Sequence, residues 1–140
     1  MRKQDQLVKE KLGWLLNNML QKESIVKVTD NSGAKQFKVI GIPGYSKKRF
    51  ATIGQVVVGA VHGASAGGAV SNKQKVKGLI VRARKERRRS DGSYVRFDDN
   101  AVVLIDKDGN PLGTRVFGPI AREVRDKGYT KITSLATEVW

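Results

Sequence analysis

The chain has no cysteine and a single histidine, His62. The first absence removes disulfides, thiolate nucleophiles and cysteine-based metal sites. Together the two leave too few soft ligands for a zinc site. His62 sits in "VGAVHGASAGG" and reads as a strand-end or loop residue. Long apolar runs are also missing. The longest, "VVVGAV" and "AVVLI", have strand length, well short of the roughly 20 residues of a membrane span. The opening "MRKQDQLVKEKLGWLLNNML" never forms the continuous apolar stretch of a secretory signal. Acidic residues are scarce: 13 against 27 lysines and arginines, a formal net charge of +14 in 140 residues.

That imbalance has a physical consequence. A compact chain so charged repels itself unless something anionic lies near. Nucleic acid is the first candidate and an anionic membrane surface the second. Catalysis finds little support. Asp98 and Asp99 are adjacent, so on a strand they point to opposite faces and make a poor acid–base pair. No serine, threonine or lysine lies in a nucleophile motif. We expect no enzymatic activity, no cofactor and no metal.

The length favours one domain. From residue 2 to 18, Leu7, Val8, Leu12, Leu15 and Leu16 recur at helical spacing, and Met19 and Leu20 continue the stripe. This predicts an amphipathic helix docked on its own domain or on a partner. An organelle-targeting remnant is the alternative, and Asp5, Glu10 and Glu23 count against it. From Ser24 the period becomes that of strands. "SIVKV", "QFKVIGI", "TIGQVVVGAVH", "KVKGLIVRARK" and "SYVRFDDNAVVLID" are five predicted strands, the last open to a break at Asp98-Asp99-Asn100. "TDNSGAK" and "KDGNP" are turns. "GASAGGAVSN" is a flexible loop without the Gly-Lys-Ser/Thr end of a phosphate-binding loop. "GPIAREVRDKG" predicts a short helix, with Pro119 at its first position, Gly128 at its exit, and Ile120 and Val124 on one buried face. "KITSLATEVW" adds a further helical turn. The whole reads as mainly β: a small closed five-stranded β-barrel with short C-terminal helices and an added N-terminal helix. Residues 1–18 are expected to form the extension and 19–140 the barrel domain.

The basic residues converge on two segments. Lys47, Lys48 and Arg49 occupy one loop. Arg82, Arg84, Lys85, Arg87, Arg88 and Arg89 run from a strand into "SDGSYVRF", where an Asp91-Gly92 turn would fold Arg96 back beside them. On a continuous strand Arg82 and Arg84 would share a face, with Ala83 opposite. A run of nearly one sign is poor design for solubility alone, and arginine matches phosphate with a planar pair of donors. Tyr94 and Phe97 could stack on bases, but with 6% aromatic residues a core or hairpin role is favoured for both. Nothing matches the aromatic signature of an RRM or the GXXG loop of a KH domain. Recognition would then rest on backbone and shape.

These residues also form an ordered signature. Gly78-Leu79-Ile80-Val81, Asp91-Gly92, Phe97, Asn100 and Val103-Leu104 stand at the spacing of the large-subunit ribosomal protein fourteen family, the universal L-fourteen family. "TDNSGAK" is similar to its N-terminal "ADNSGA" box; "GTRVFGPIAREVR" and "KITSLATEVW" resemble its C-terminal blocks. The resemblance spans Met19 to Trp140 and is to bacterial and organellar members. It implies a structural constituent of the large ribosomal subunit, bound to large-subunit rRNA and bridging to small-subunit rRNA beside ribosomal proteins three and nineteen. It further implies docking of a ribosome-silencing factor on residues matching Thr114, Arg115 and Lys131. The alternative is a free-standing RNA-binding or ribosome-assembly factor on the same barrel. An added N-terminal segment suggests an organellar ribosome, mitochondrial first, with bacterial cytoplasm and chloroplast as alternatives. The sequence departs from the family at Glu86 and Asp99, where glycine is common, at Thr137, where proline is usual, and in the Gly63–Gly68 stretch, which lacks a proline.

Overall fold

A computed structural model of the protein describes residues 20–21, 24–43, 50–65 and 68–140. The predicted helix over 2–18 and the basic loop carrying Lys47, Lys48 and Arg49 lie outside the described residues. Five strands close a barrel in the order β1, β2, β3, β4, β7. They are β1 (Ile25–Val28), β2 (Ala34–Gly41), β3 (Val56–Ala64), β4 (Lys75–Arg82) and β7 (Ala101–Ile105). Neighbours pair antiparallel, except at the closing seam, where β1 and β7 run parallel with Lys27 opposite Ala101. Closure leaves these strands without free edges for another chain to pair with.

Alternation decides which side chains enter the barrel. Val26 and Val28 of β1, Phe37 and Val39 of β2, and Val57 and Val61 of β3 are buried, while Ile25, Lys27, Lys35 and Ile40 face solvent. Phe37 is the largest side chain in the barrel, and two glycines make room for it. A Cβ at Gly59 would lie 2.5 Å from its ring and closer still to the Lys38 carbonyl, and one at Gly78 would sit 3.3 Å from the ring.

Strand β4 from Gly78 onward and all of β7 are buried on both faces. Ile80, Val102 and Leu104 point into the barrel; Leu79, Val81, Val103 and Ile105 point away, into a second apolar cluster. That cluster is completed by the C-terminal region: β8 (Val116–Ile120), α1 (Glu123–Asp126), α2 (Thr130–Leu135) and β9 (Ala136–Val139), with β8 and β9 paired in parallel. Val116, Ile120, Val124 and Ile132 supply its other half.

Between β4 and β7 the chain leaves the barrel as a short hairpin of β5 (Arg87–Arg88) and β6 (Tyr94–Val95). The predicted Asp91-Gly92 turn closes it. Asp91 Oδ1 accepts from the Ser93 N–H at 3.0 Å, and Gly92 takes a positive φ of 89°. The fifth predicted strand is thus broken, at Asp98-Asp99-Asn100.

Two expectations need correction. Pro119 does not start a helix. It lies in β8 opposite Glu138, and the helix begins only at Glu123. The apolar pair Ile120 and Val124 is buried as expected, but Ile120 reaches that cluster from a strand. The shared face of Arg82 and Arg84 is also absent. The register between β4 and β7 shifts between Ile80 and Arg82, and β4 ends there. The shift turns Arg82 toward β8, whereas Ala83 joins the barrel core.

Candidate nucleic-acid interface

The basic run divides into inward and outward members. Arg82 is only 6% exposed. Its Nη1 donates to the carbonyls of Phe117 and Pro119 at 3.2 and 3.3 Å, and its Nη2 donates to Asp99 Oδ2 at 3.1 Å. Its Nε lies 3.0 Å from Asp99 Oδ1, but off the hydrogen-bonding angle, so the Nη2 contact is the directed one. Arg87 Nη1 donates to Thr52 Oγ1 at 2.9 Å. Arg89 Nε donates to Glu123 Oε1 at 2.7 Å, and its Nη2 caps the Trp140 carbonyl. These three arginines tie strand, hairpin and C-terminal region together.

Glu123 is shielded from water, which pushes its carboxyl up. The Arg89 hydrogen bond, with the charges of Arg89 and Arg87, outweighs this and holds it below the ordinary range. Glu86 pairs with Lys85 at 2.9 Å. That hydrogen bond is the main cause of its lowered pKa.

The outward members lie on the hairpin and just beyond it. Arg88 stands opposite Tyr94 in the ladder. Arg96 lies just past the end of β6, between Val95 and Phe97, which both turn toward the core. Arg88, Tyr94 and Arg96 are all exposed, Tyr94 to 64%. Val95, between them, turns into the barrel core, and Phe97 packs against that core. Arg84 is exposed with its Nε on the Asp98 carbonyl at 2.8 Å. Two exposed arginines thus accompany an open aromatic ring, an arrangement able to hold phosphates around a stacked base.

Thr114, Arg115 and Lys131 are exposed and converge on one segment. Asn31 grips its end: its Oδ1 accepts from the Thr114 and Arg115 N–H groups at 2.6 and 3.0 Å, and its Nδ2 donates to Thr114 Oγ1 at 2.7 Å. Lys131 Nζ reaches Asn110 Oδ1 at 3.1 Å, at the other end of the same segment. Beneath this turn Asp30 is buried, with Oδ2 accepting from the Leu104 N–H at 3.1 Å and Oδ1 from the Ser32 hydroxyl at 2.5 Å. The turn-forming box in the sequence therefore clamps a distant loop.

Other basic residues escaped the reading of the sequence. Lys27, Lys75 and Lys77 project from the outer barrel face, exposed, with Lys38 half-buried among them; Lys35 is also exposed, though it shares the period-two side of Phe37 and Val39. The available signal was period two: Lys-Val-Lys at the start of β4 puts two lysines on one face. By contrast, the cleft of about 640 Å³ beside the hairpin is electrically mixed. Lys27, Arg82 and Arg96 line it with Asp98, Asp99 and Glu138.

The family model described as ribosomal protein L14p/L23e matches residues 19–140.

Proposed function

The chain belongs to the ribosomal protein L14p/L23e family and is a structural protein of the large ribosomal subunit, and from that membership we propose that it binds large-subunit rRNA through its hairpin. The observation that carries this reading is the exposed pair Arg88 and Tyr94, opposite each other across β5 and β6, with exposed Arg96 just beyond the hairpin. Arg84 and Lys85 extend the surface toward the barrel, and Lys47, Lys48 and Arg49 are assigned to it from the sequence. Arg82, Arg87 and Arg89 contribute to the same interface by fixing the hairpin's pose, since their guanidinium groups are engaged within the protein.

In this reading Thr114, Arg115 and Lys131 face the small subunit, contribute to bridges with its rRNA and receive a ribosome-silencing factor. Their exposure and their common attachment to one clamped segment support that role. Proteins three and nineteen are the expected neighbours. Residues 1–18 serve as an added docking extension, which favours a mitochondrial ribosome.

The test is a salt titration of RNA binding. Each phosphate contact contributes about 0.9 to the slope of log K against log salt, by analogy with duplex DNA. The double variant Arg88→Gln/Arg96→Gln should lower that slope by about two and reduce incorporation into large subunits. An unchanged slope would remove the hairpin from the rRNA contact surface.

A further inference from the structure

The outer face of β1 to β4 carries lysines, and only Lys27, at its β1 edge, borders a cleft that also holds acids, Asp98, Asp99 and Glu138. No aspartate or glutamate occurs in any of these four strands. Lys38 of β2 and Lys75 of β4 both lie opposite Ala60 of β3, so they form one cross-strand row. Two strand spacings separate them, about 10 Å. Lys77 stands two residues along from Lys75, about 7 Å away on the same face. On the other side Lys27 lies opposite Gln36, which lies opposite His62. These three, with Lys35, line a groove of about 660 Å³. Among the described residues none of these lysines makes a side-chain hydrogen bond or ion pair within the protein.

We propose that this sheet face is a second RNA-binding surface, which takes the phosphate backbone of an RNA segment other than the one held by the hairpin. The proposal rests on the rRNA-binding reading given above. Charge complementarity selects the occupant. Like charges 7–10 Å apart, about one Debye length at physiological salt, repel until a polyanion neutralises them. Lysine acts as a point charge toward phosphate, without the planar fork that reads a base edge. Apart from the His62 imidazole, the exposed residues of the four strands carry no aromatic ring, because Phe37 turns inward. The face is therefore suited to backbone contact without sequence preference. Ile25, Val58 and Ala60 between the lysines give their methylene stems an apolar floor. The chain's own N-terminal segment is a poor occupant: over residues 1–18, Arg2, Lys3, Lys9 and Lys11 outnumber Asp5 and Glu10. The hairpin and the sheet face differ in chemistry, arginine with an open ring against lysine on a flat strip. Together they let one small protein tie two RNA segments.

The experiment compares the full chain with Lys38→Gln/Lys75→Gln/Lys77→Gln and with Arg88→Gln/Arg96→Gln. Fluorescence anisotropy with a labelled RNA duplex across a potassium chloride series gives each salt slope. A sandwich assay asks whether protein held on one immobilised duplex captures a second, labelled duplex. The lysine variant should lose about 2–3 units of slope, keep its melting temperature, and lose capture of the second duplex. The arginine variant should also lose capture, and the two slope losses should add. A lysine variant with wild-type slope and wild-type capture overturns the proposal while leaving the hairpin reading intact. The same result with impaired assembly into large subunits overturns it in favour of a protein occupant. Failure of the unaltered chain to bind the duplex overturns both readings.

Discussion

The guanidinium of Arg82 occupies the space that a side chain at Gly118 would need. Gly118 has a positive φ of 77°, and the carbonyls on either side of it, Phe117 and Pro119, accept from Arg82 Nη1. An arginine from the barrel wall thus fills and caps a glycine turn in the C-terminal strand.

Substituting Gly118 by alanine should therefore be costly twice over. The left-handed backbone alone costs about 1–2 kcal/mol with a Cβ, and the methyl group also displaces Arg82. We expect Gly118→Ala to lose about 3 kcal/mol in urea unfolding. Asp99→Gly should lose less, about 1–2 kcal/mol. Asp99 is 38% exposed, and Arg82 keeps both carbonyls. A loss for Asp99→Gly as large as for Gly118→Ala would show that the ion pair, not the carbonyl capping, holds the turn.

Burial raises the pKa of the Asp30 carboxyl above its ordinary 3.8, only partly offset by hydrogen bonds from Ser32 and Leu104. The folded chain holds this proton more tightly than the unfolded chain. Its contribution to stability is complete below pH 3.8 and declines as pH rises through the raised folded value. Asp30→Asn removes this dependence, but an amide nitrogen must then face the Ser32 or the Leu104 N–H. We expect a loss of about 1–3 kcal/mol at neutral pH, measured by thermal or urea unfolding.

Glu123 has the opposite sign. Its lowered carboxyl gives stability that is present above the ordinary value of 4.5 and is lost as pH falls through the folded value. Glu123→Gln should cost about 1.5–3 kcal/mol at neutral pH and flatten the acid limb of the stability curve below pH 4.5. Backbone amide exchange at Arg89, whose N–H bonds to the Ser93 carbonyl, should accelerate in that variant. Unchanged exchange would mean that the hairpin stands without its tie to α1.

The barrel was legible because its strands carry period-two burial and its turns carry glycine and asparagine at the required places. The Asp91-Gly92 hairpin is the clearest case: two adjacent residues specify a local geometry. The helix at Pro119 misled because proline's preference for a first helical turn is local, whereas its place in β8 depends on pairing with a strand almost twenty residues away. The division of the arginines was illegible for the same reason. Nothing near Arg82, Arg87 or Arg89 in the sequence announces Pro119, Thr52 or Glu123 as partners. Asn31 reads as a turn former, yet its hydrogen bonds go to Thr114 and Arg115. The outer-face lysines left a trace, but a short Lys-x-Lys alternation is quieter than a run of six arginines and lysines.

Strands β4 and β7 are a party wall between two apolar compartments. The region from β8 onward, made after both strands, is what covers the far side of that wall. Until β8 and the helices dock, Leu79, Val81, Val103 and Ile105 present a greasy stripe to water. The nascent protein is thus stickiest when its barrel is already able to close. Arg82 and Arg89 each have two partners made after them by more than thirty residues. They become structural only after β8 and α1 have been made, and the hairpin they steady gains its final pose at that same later step.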